Sequence, residues 1–127
     1  MENVHNRKVV IKIRMWMVDP AILCRKHLLG EHGEIHKHIP SFRKGHKIDG
    51  RFDPVVQIQL NALQSRHDVL AAEMLKRGYN HNSPLVDVPD LALTYPQHYD
   101  KVVDVNISIL DLIDRCPECC NNLEKRI

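Results

Sequence analysis

Polar, proline-punctuated stretches divide the apolar residues of this chain into short blocks, and most of those blocks keep a helical period. Residues 1–12 are polar except for Val9-Val10-Ile11 and read as an N-terminal extension to a helical domain over 13–127. Arg14-Met15-Trp16-Met17-Val18 is apolar enough to be buried and stops at Asp19-Pro20, a capping carboxylate followed by a residue suited to the first helical position. The spacing predicts a first helix from Pro20 to about His38, ended by Pro40. Gly30 and Gly33 each lower its propensity by roughly 1 kcal/mol relative to alanine, marking either a kink or a place where something approaches closely. Residues 40–52 read as a basic loop. Asp53-Pro54 repeats the start signal, and Val56, Leu60, Leu63, Leu70, Met74 and Leu75 keep helical spacing, with a break near Asn61 or Ser65 allowed. Lys76-Arg77-Gly78 closes that helix, with cations in its last turn and glycine just past its end. Pro84, Pro89 and Pro96 make 79–101 a loop, with one short turn around Asp90–Leu93. Asp104 caps a third helix with Val105, Ile109, Leu112 and Ile113 on one side; Cys116-Pro117 ends or bends it, and the tail is polar. The predicted fold is all-α: a compact single domain of three main helices with long connecting loops.

Composition agrees with a folded domain. The 127 residues are 43% hydrophobic and 27% charged, so the chain is long enough for one core and too apolar for a disordered segment. No apolar run nears the ~20 residues of a membrane span, and Val9-Val10-Ile11 is too short for a signal-peptide core. The expectation is an intracellular, non-secreted protein with no membrane partner, whose four cysteines are reduced thiols or metal ligands rather than a disulfide framework. The net charge of +2 conceals an asymmetry: residues 1–51 hold eleven Lys/Arg against five Asp/Glu, and residues 52–127 seven against eleven. A basic half fits a polyanionic partner, although a charge-segregated solvated surface fits as well. Aromatic content of 5% leaves little for a broad base-stacking platform.

The chemistry concentrates in His27-Leu28-Leu29-Gly30-Glu31-His32-Gly33-Glu34. Glu31 and Glu34 are neighbours on one helix face, with histidines at 27, 32, 36 and 38 and cations at Lys37, Arg43, Lys44, Lys47 and Arg51. A carboxylate among cations and imidazoles suits acid–base work on a polyanion; an ordinary polar helix face has the same look. Arg43-Lys44-Gly45-His46-Lys47 reads equally as a phosphate-binding loop or a solvated one. Cys116 and Cys119 form a CxxC pair, but a structural zinc needs four ligands and no second pair of that kind follows. His32, His36 and His38 have ligand-like spacing without the glutamate of an HExxH motif. The thiols therefore read as ordinary thiols, with no metal assigned. No phosphate-binding glycine loop or serine-hydrolase elbow occurs. Residue types alone lead to a basic-faced helical domain fit for nucleic acid.

Two stretches add to this. His27 to Glu34 with the trailing Arg43-Lys44, and Glu73-Met74-Leu75-Lys76-Arg77-Gly78-Tyr79-Asn80 with His81-Asn82-Ser83-Pro84, resemble the pyrimidine dimer DNA glycosylases of the phage endonuclease V type. The resemblance runs from about Ile13 to Arg115 and implies a mainly helical enzyme acting on damaged double-stranded DNA as a monomer. It implies cleavage of the glycosidic bond at pyrimidine dimers through a Schiff base to the sugar, then strand breakage by β-elimination. On this resemblance Glu34 is the catalytic carboxylate, and Arg14, Lys37, Arg43 and Lys44, with His27 beside them in the motif, are DNA contacts. No metal or organic cofactor is implied, because iminium chemistry supplies its own electron sink. A non-catalytic DNA-binding module on the same scaffold is the competing reading.

This sequence departs from the family pattern in three ways. The family's nucleophile is an N-terminal amine at the point matching Ile13, where this chain has twelve preceding residues and an amide nitrogen. A free α-amine near pKa 8 is about 10% neutral at pH 7, against roughly 0.04% for an ordinary lysine. The routes left open are Lys12 with a lowered pKa, a chain shortened to Ile13 or starting at Met15, Met1 folding back, or loss of lyase chemistry. The aromatic tail that helps recognise dimers is replaced by the cysteine-rich segment. Gly33, Ser108 and Leu112 stand where the phage type has cations.

Overall fold

A computed structural model describes residues 14–81 and 83–126, and every regular element among them is helical. The all-α expectation holds. The N-terminal extension, Lys12 and Ile13 lie outside the described residues. The α-helices are α1 (Arg25–Arg43), α2 (Leu63–Lys76), α3 (Leu91–Thr94), α4 (Val105–Arg115) and α5 (Pro117–Lys125).

The start and end of α1 both differ from the sequence expectation. Asp19 does cap Pro20–Ile22, its Oδ1 accepting from the Ala21 N–H at 3.0 Å, but this is a single 3-10 turn. The chain extends again at Leu23, and α1 begins at Arg25 with Cys24 as its N-cap. Arg77 explains the interruption. Its Nη2 donates to the carbonyls of Pro20 at 3.1 Å and Leu23 at 2.7 Å, drawing those acceptors toward α2. Pro40 does not stop the helix. It sits inside α1, which runs to Arg43 and closes at Gly45 (φ +70). There the His46 N–H donates to Ser41 and the Gly45 N–H to Phe42, the bonds of a left-handed helix stop. Burial of Ile39 and Phe42 holds the turn that proline's missing N–H would loosen.

Asp53-Pro54, joined by a cis peptide, starts no helix. The backbone at Gln57 is already engaged, its N–H donating to Arg51 and its carbonyl accepting from Met15 at 2.8 Å. Helical structure resumes with the 3-10 turn Leu60–Ala62 and continues as α2. The end of α2 is as expected: Gly78 adopts φ +86, and the Tyr79 N–H reaches Met74 at 2.9 Å. The Asp90 and Asp104 caps form, the second accepting from the Asn106 and Ile107 N–H groups. In α4, however, Ser108 and Leu112 are the buried residues, while Val105 is exposed. The polar tail is also structured. Pro117 opens α5, and Cys119 is fully buried on it. A fourth substantial helix thus joins the three expected.

The core lies along the seam of α1 and α2. Leu28, Ile35, Ile39 and Phe42 from one helix and Leu63, Leu70 and Met74 from the other form its apolar part. Midway along the seam, Glu31 and Arg66 replace hydrophobic residues. Arg66 holds both Glu31 oxygens, Nε to Oε2 at 2.6 Å and Nη2 to Oε1 at 2.9 Å, and its Nη1 donates to the Val18 carbonyl at 2.7 Å. Arg66 and Arg77 therefore anchor the extended segment before α1 to α2. That segment carries Arg14, Trp16 and Cys24 to their places.

Candidate active site

Successive residues turn by about 100° in an α-helix, so Lys26, Gly30, Gly33, Glu34, Lys37, Ser41 and Lys44 share one side of α1. Lys26, Gly30, Gly33, Lys37 and Lys44 are exposed on it. At ~1.5 Å per residue the three lysines extend over roughly 27 Å. Beside this stripe opens a cleft of about 300 Å³ lined by Arg14, Trp16, Lys26, His27, Gly30, Glu31, Glu34 and Arg115. Glu34 sits at its edge, its side chain 29% exposed and its Oε2 3.1 Å from His38 Nε2. Glu31 also reaches the cleft wall, but both of its oxygens are held by Arg66. The two carboxylates that look alike in sequence thus differ in role: Glu31 locks the seam, and Glu34 faces the cleft.

The other expected contacts divide. Lys37 and Lys44 stand on the stripe with Glu34. Arg43 lies about 100° further round α1, where its Nη1 donates to the Asp87 carbonyl at 3.3 Å in a separate groove with His36 and Pro84. Arg14, expected as a DNA contact, is buried at the cleft rather than exposed on the stripe. It is 5% exposed, packs over the Trp16 ring at 4.8 Å, and donates from Nη2 to Ser108 Oγ at 3.3 Å. Burial lowers the Arg14 pKa, while Asp111 opposes that shift. Arg115 approaches the same indole at 5.6 Å, so Trp16 carries two guanidinium groups at the cleft. Ser108 and Leu112 have no exposure at all, which leaves them no route to a phosphate.

Gly30 and Gly33 both lie inside the continuous helical run of α1. A Cβ at either would meet nothing within 4 Å. Gly33→Ala should therefore stabilise the protein by about 0.5–1 kcal/mol through helix propensity, read as a rise in the urea midpoint. A lower midpoint would mean that the apparent space is needed by the native fold. Gly30 lines the cleft itself, so alanine there should give a similar gain in stability while narrowing the opening.

A family model for pyrimidine dimer DNA glycosylases matches residues 13–87. The chain belongs to that family. No curated protein and no solved structure matches it. The matched region of this glycosylase-family chain contains α1, α2, Glu34 and the first cleft residue, Arg14. It stops short of α3–α5, although the motif resemblance was expected to reach Arg115.

Two side-chain clusters in this family member were missed as units by sequence reasoning. Three of the supposedly separate thiols, Cys24, Cys116 and Cys119, converge with His27, and the four donor atoms lie within 4.8 Å of one another. His27, expected as a DNA contact, lines the cleft and has its Nδ1 3.2 Å from Cys24 Sγ and 3.6 Å from Cys119 Sγ. The legible signal is a CxxH pair at 24 and 27 that complements the CxxC at 116 and 119. Burial pushes the Cys119 thiol up to about 12. The other cluster unites His32 and His36 with His67 and His81, again within 4.8 Å. His38, expected beside the first two, pairs with Glu34 instead. Burial, followed by the His67, His36 and His81 rings, lowers His32 to about 4. Both donor sets have the chemistry of metal ligands.

Proposed function

We propose that this chain is a DNA-repair glycosylase with abasic-site lyase activity, removing damaged pyrimidines from double-stranded DNA. The observation that carries the reading is the cleft shared by Glu34 and Arg14 beside the exposed lysine stripe of α1. Lys26, Lys37 and Lys44 would pair with backbone phosphates, which requires no base-specific contact. A lesion is the cheapest place to open the stack, and the sugar of the opened nucleotide would enter the cleft.

The proposed reaction needs an amine and a carboxylate. The amine nitrogen attacks C1′, the glycosidic bond breaks, and the departing base takes a proton. The nitrogen gives up its own proton as the sugar ring opens to an iminium. Loss of the C2′ proton then expels the 3′ phosphate oxygen, and water hydrolyses the iminium to release the amine. Glu34 stabilises positive charge at C1′ and carries the protons between these steps. Positions 12 and 13 directly precede Arg14 in the chain, which makes an amine there, Lys12 Nζ or an Ile13 terminus, the nucleophile of choice. Desolvation among cations is the established way to make a lysine nucleophilic.

Borohydride reduction tests the reaction directly. UV-irradiated duplex incubated with the protein and borohydride should give a covalent protein–DNA adduct, whose mass and peptide map identify the reacting amine. Absence of both adduct and nicking, with the full chain and with a chain starting at Ile13, would leave the DNA-binding module as the better reading.

A further inference from the structure

We infer that Cys24, His27, Cys116 and Cys119 form a structural zinc site that staples the α4–α5 corner to the start of α1. Zinc with Zn–S near 2.3 Å and Zn–N near 2.0–2.1 Å separates tetrahedral ligand atoms by about 3.5–3.8 Å. The observed separations bracket these values: 3.2 Å for Cys24 Sγ to His27 Nδ1, 3.6 Å for Cys119 Sγ to His27 Nδ1, and 3.9 Å for Cys116 Sγ to Cys24 Sγ. A sulfur pair at that last distance is not a disulfide, whose bond is near 2.05 Å. Three protein thiolates and one imidazole complete a tetrahedron, leaving no open position, as expected of a structural rather than a catalytic ion.

Helix N-termini and backbone N–H groups converge on the cluster. Cys24 is the N-cap of α1 and Cys116 the N-cap of α5, with His27 and Cys119 three residues further on. Two helix N-termini thus direct their partial positive charge at the cluster. The Cys24 N–H donates to Cys119 Sγ at 3.2 Å and the Cys119 N–H to Cys116 Sγ at 3.4 Å, the outer-shell bonds that orient metal-bound sulfur. Lys26 and Arg115 near His27 offset the charge of three thiolates against one divalent ion. Cys120 is not a member of the cluster. The zinc would set one wall of the cleft, since His27 lines it and Cys116 directly follows Arg115. Cys24 and His27 lie inside the family match and Cys116 and Cys119 beyond it, so the matched region supplies half of the ligand set.

The α1–α2 seam independently supports a second inference, an all-imidazole site for a borderline divalent ion such as zinc. His32 Nε2 is 2.8 Å from His81 Nε2, and His67 Nε2 is 3.1 Å from His36 Nε2, close to the ~3.3 Å edge of a tetrahedral four-nitrogen site. Asp68 Oδ1, 2.9 Å from His67 Nδ1, is the carboxylate that orients a metal-binding histidine and leaves Nε2 to face the ion. The Ser83 carbonyl, 3.1 Å from His67 Nε2, borders the cluster.

Metal analysis of the full chain after dialysis, combined with zinc-edge X-ray absorption, tests both sites. The expected result is two ions per chain, one with three sulfurs and one nitrogen and one with nitrogen alone. A mercurial thiol reagent should release the first, and a Cys116→Ser/Cys119→Ser variant should lose it while Cys120→Ser keeps it. His36→Ala/His81→Ala should remove only the second. Because absorption is read on the unaltered chain, misfolding of a variant does not obscure the answer. Absence of sulfur from the first shell, or a zinc-free protein after zinc supplementation, overturns the cysteine site. One ion bound solely by the sulfur set overturns the histidine site.

Discussion

Glu34→Gln should leave DNA binding unchanged and slow strand cleavage of UV-irradiated duplex by at least about 100-fold, the usual minimum for removal of a positioned acid–base group. The substitution is close to isosteric, and the amide oxygen it introduces can still accept from His38. Folding stability should therefore stay within about 0.5 kcal/mol, as for other partly exposed positions. Single-turnover nicking measured beside filter binding separates the two effects. If binding and cleavage fall together, Glu34 is a contact rather than a proton carrier. If neither changes, the reacting cleft lies elsewhere or the chain only binds. Lys37→Ala should act in the opposite sense, with weaker binding and a shallower salt dependence, because that lysine stands on the same side of α1 and offers only charge.

The Glu31 variants should show the opposite pattern, with loss of stability before any loss of chemistry. Glu31→Ala strands a guanidinium that is 4% exposed, leaving the Val18 carbonyl as the remaining partner for Arg66. Breaking one side of a buried ion pair costs about 3–5 kcal/mol, a large part of the ~5–15 kcal/mol that holds a typical domain together. Replacing both partners, as Glu31→Leu with Arg66→Met, should cost far less, because no buried charge is left unmatched. Urea denaturation of the unaltered chain and these two variants gives the comparison. A single substitution costing under about 1 kcal/mol would show that water reaches the seam and that Glu31 is available to the cleft after all. The same measurement decides whether the carboxylates three residues apart share the chemistry or divide it.

That division marks the limit of local pattern in this molecule. Glu31 and Glu34 have similar neighbours in sequence, and nothing within a helical turn says that Arg66, thirty-five residues away, will claim one of them. The same holds for Arg14. Its place at the head of an apolar stretch is plain, but its packing over Trp16 depends on α4 arriving alongside with Ser108 and Asp111.

What the sequence determined by itself is the helical content, the Asp90 and Asp104 caps, the Gly78 stop, the apolar character of the seam and the family motif around Glu34. These depend on side chains within a turn or two of each other, where spacing and capping chemistry act directly. Tertiary structure decided where α1 begins and ends, because Arg77 takes the carbonyls before it and buried Phe42 carries it past Pro40. It decided that the polar tail becomes α5, and it assembled the two ligand clusters. Cys24 and Cys116 are 92 residues apart, and His32 and His81 are 49 apart. No local periodicity relates positions so distant; only the packing of α1 against α2, and of α5 against the Pro20–Ile22 turn before α1, brings the donor atoms of each cluster together.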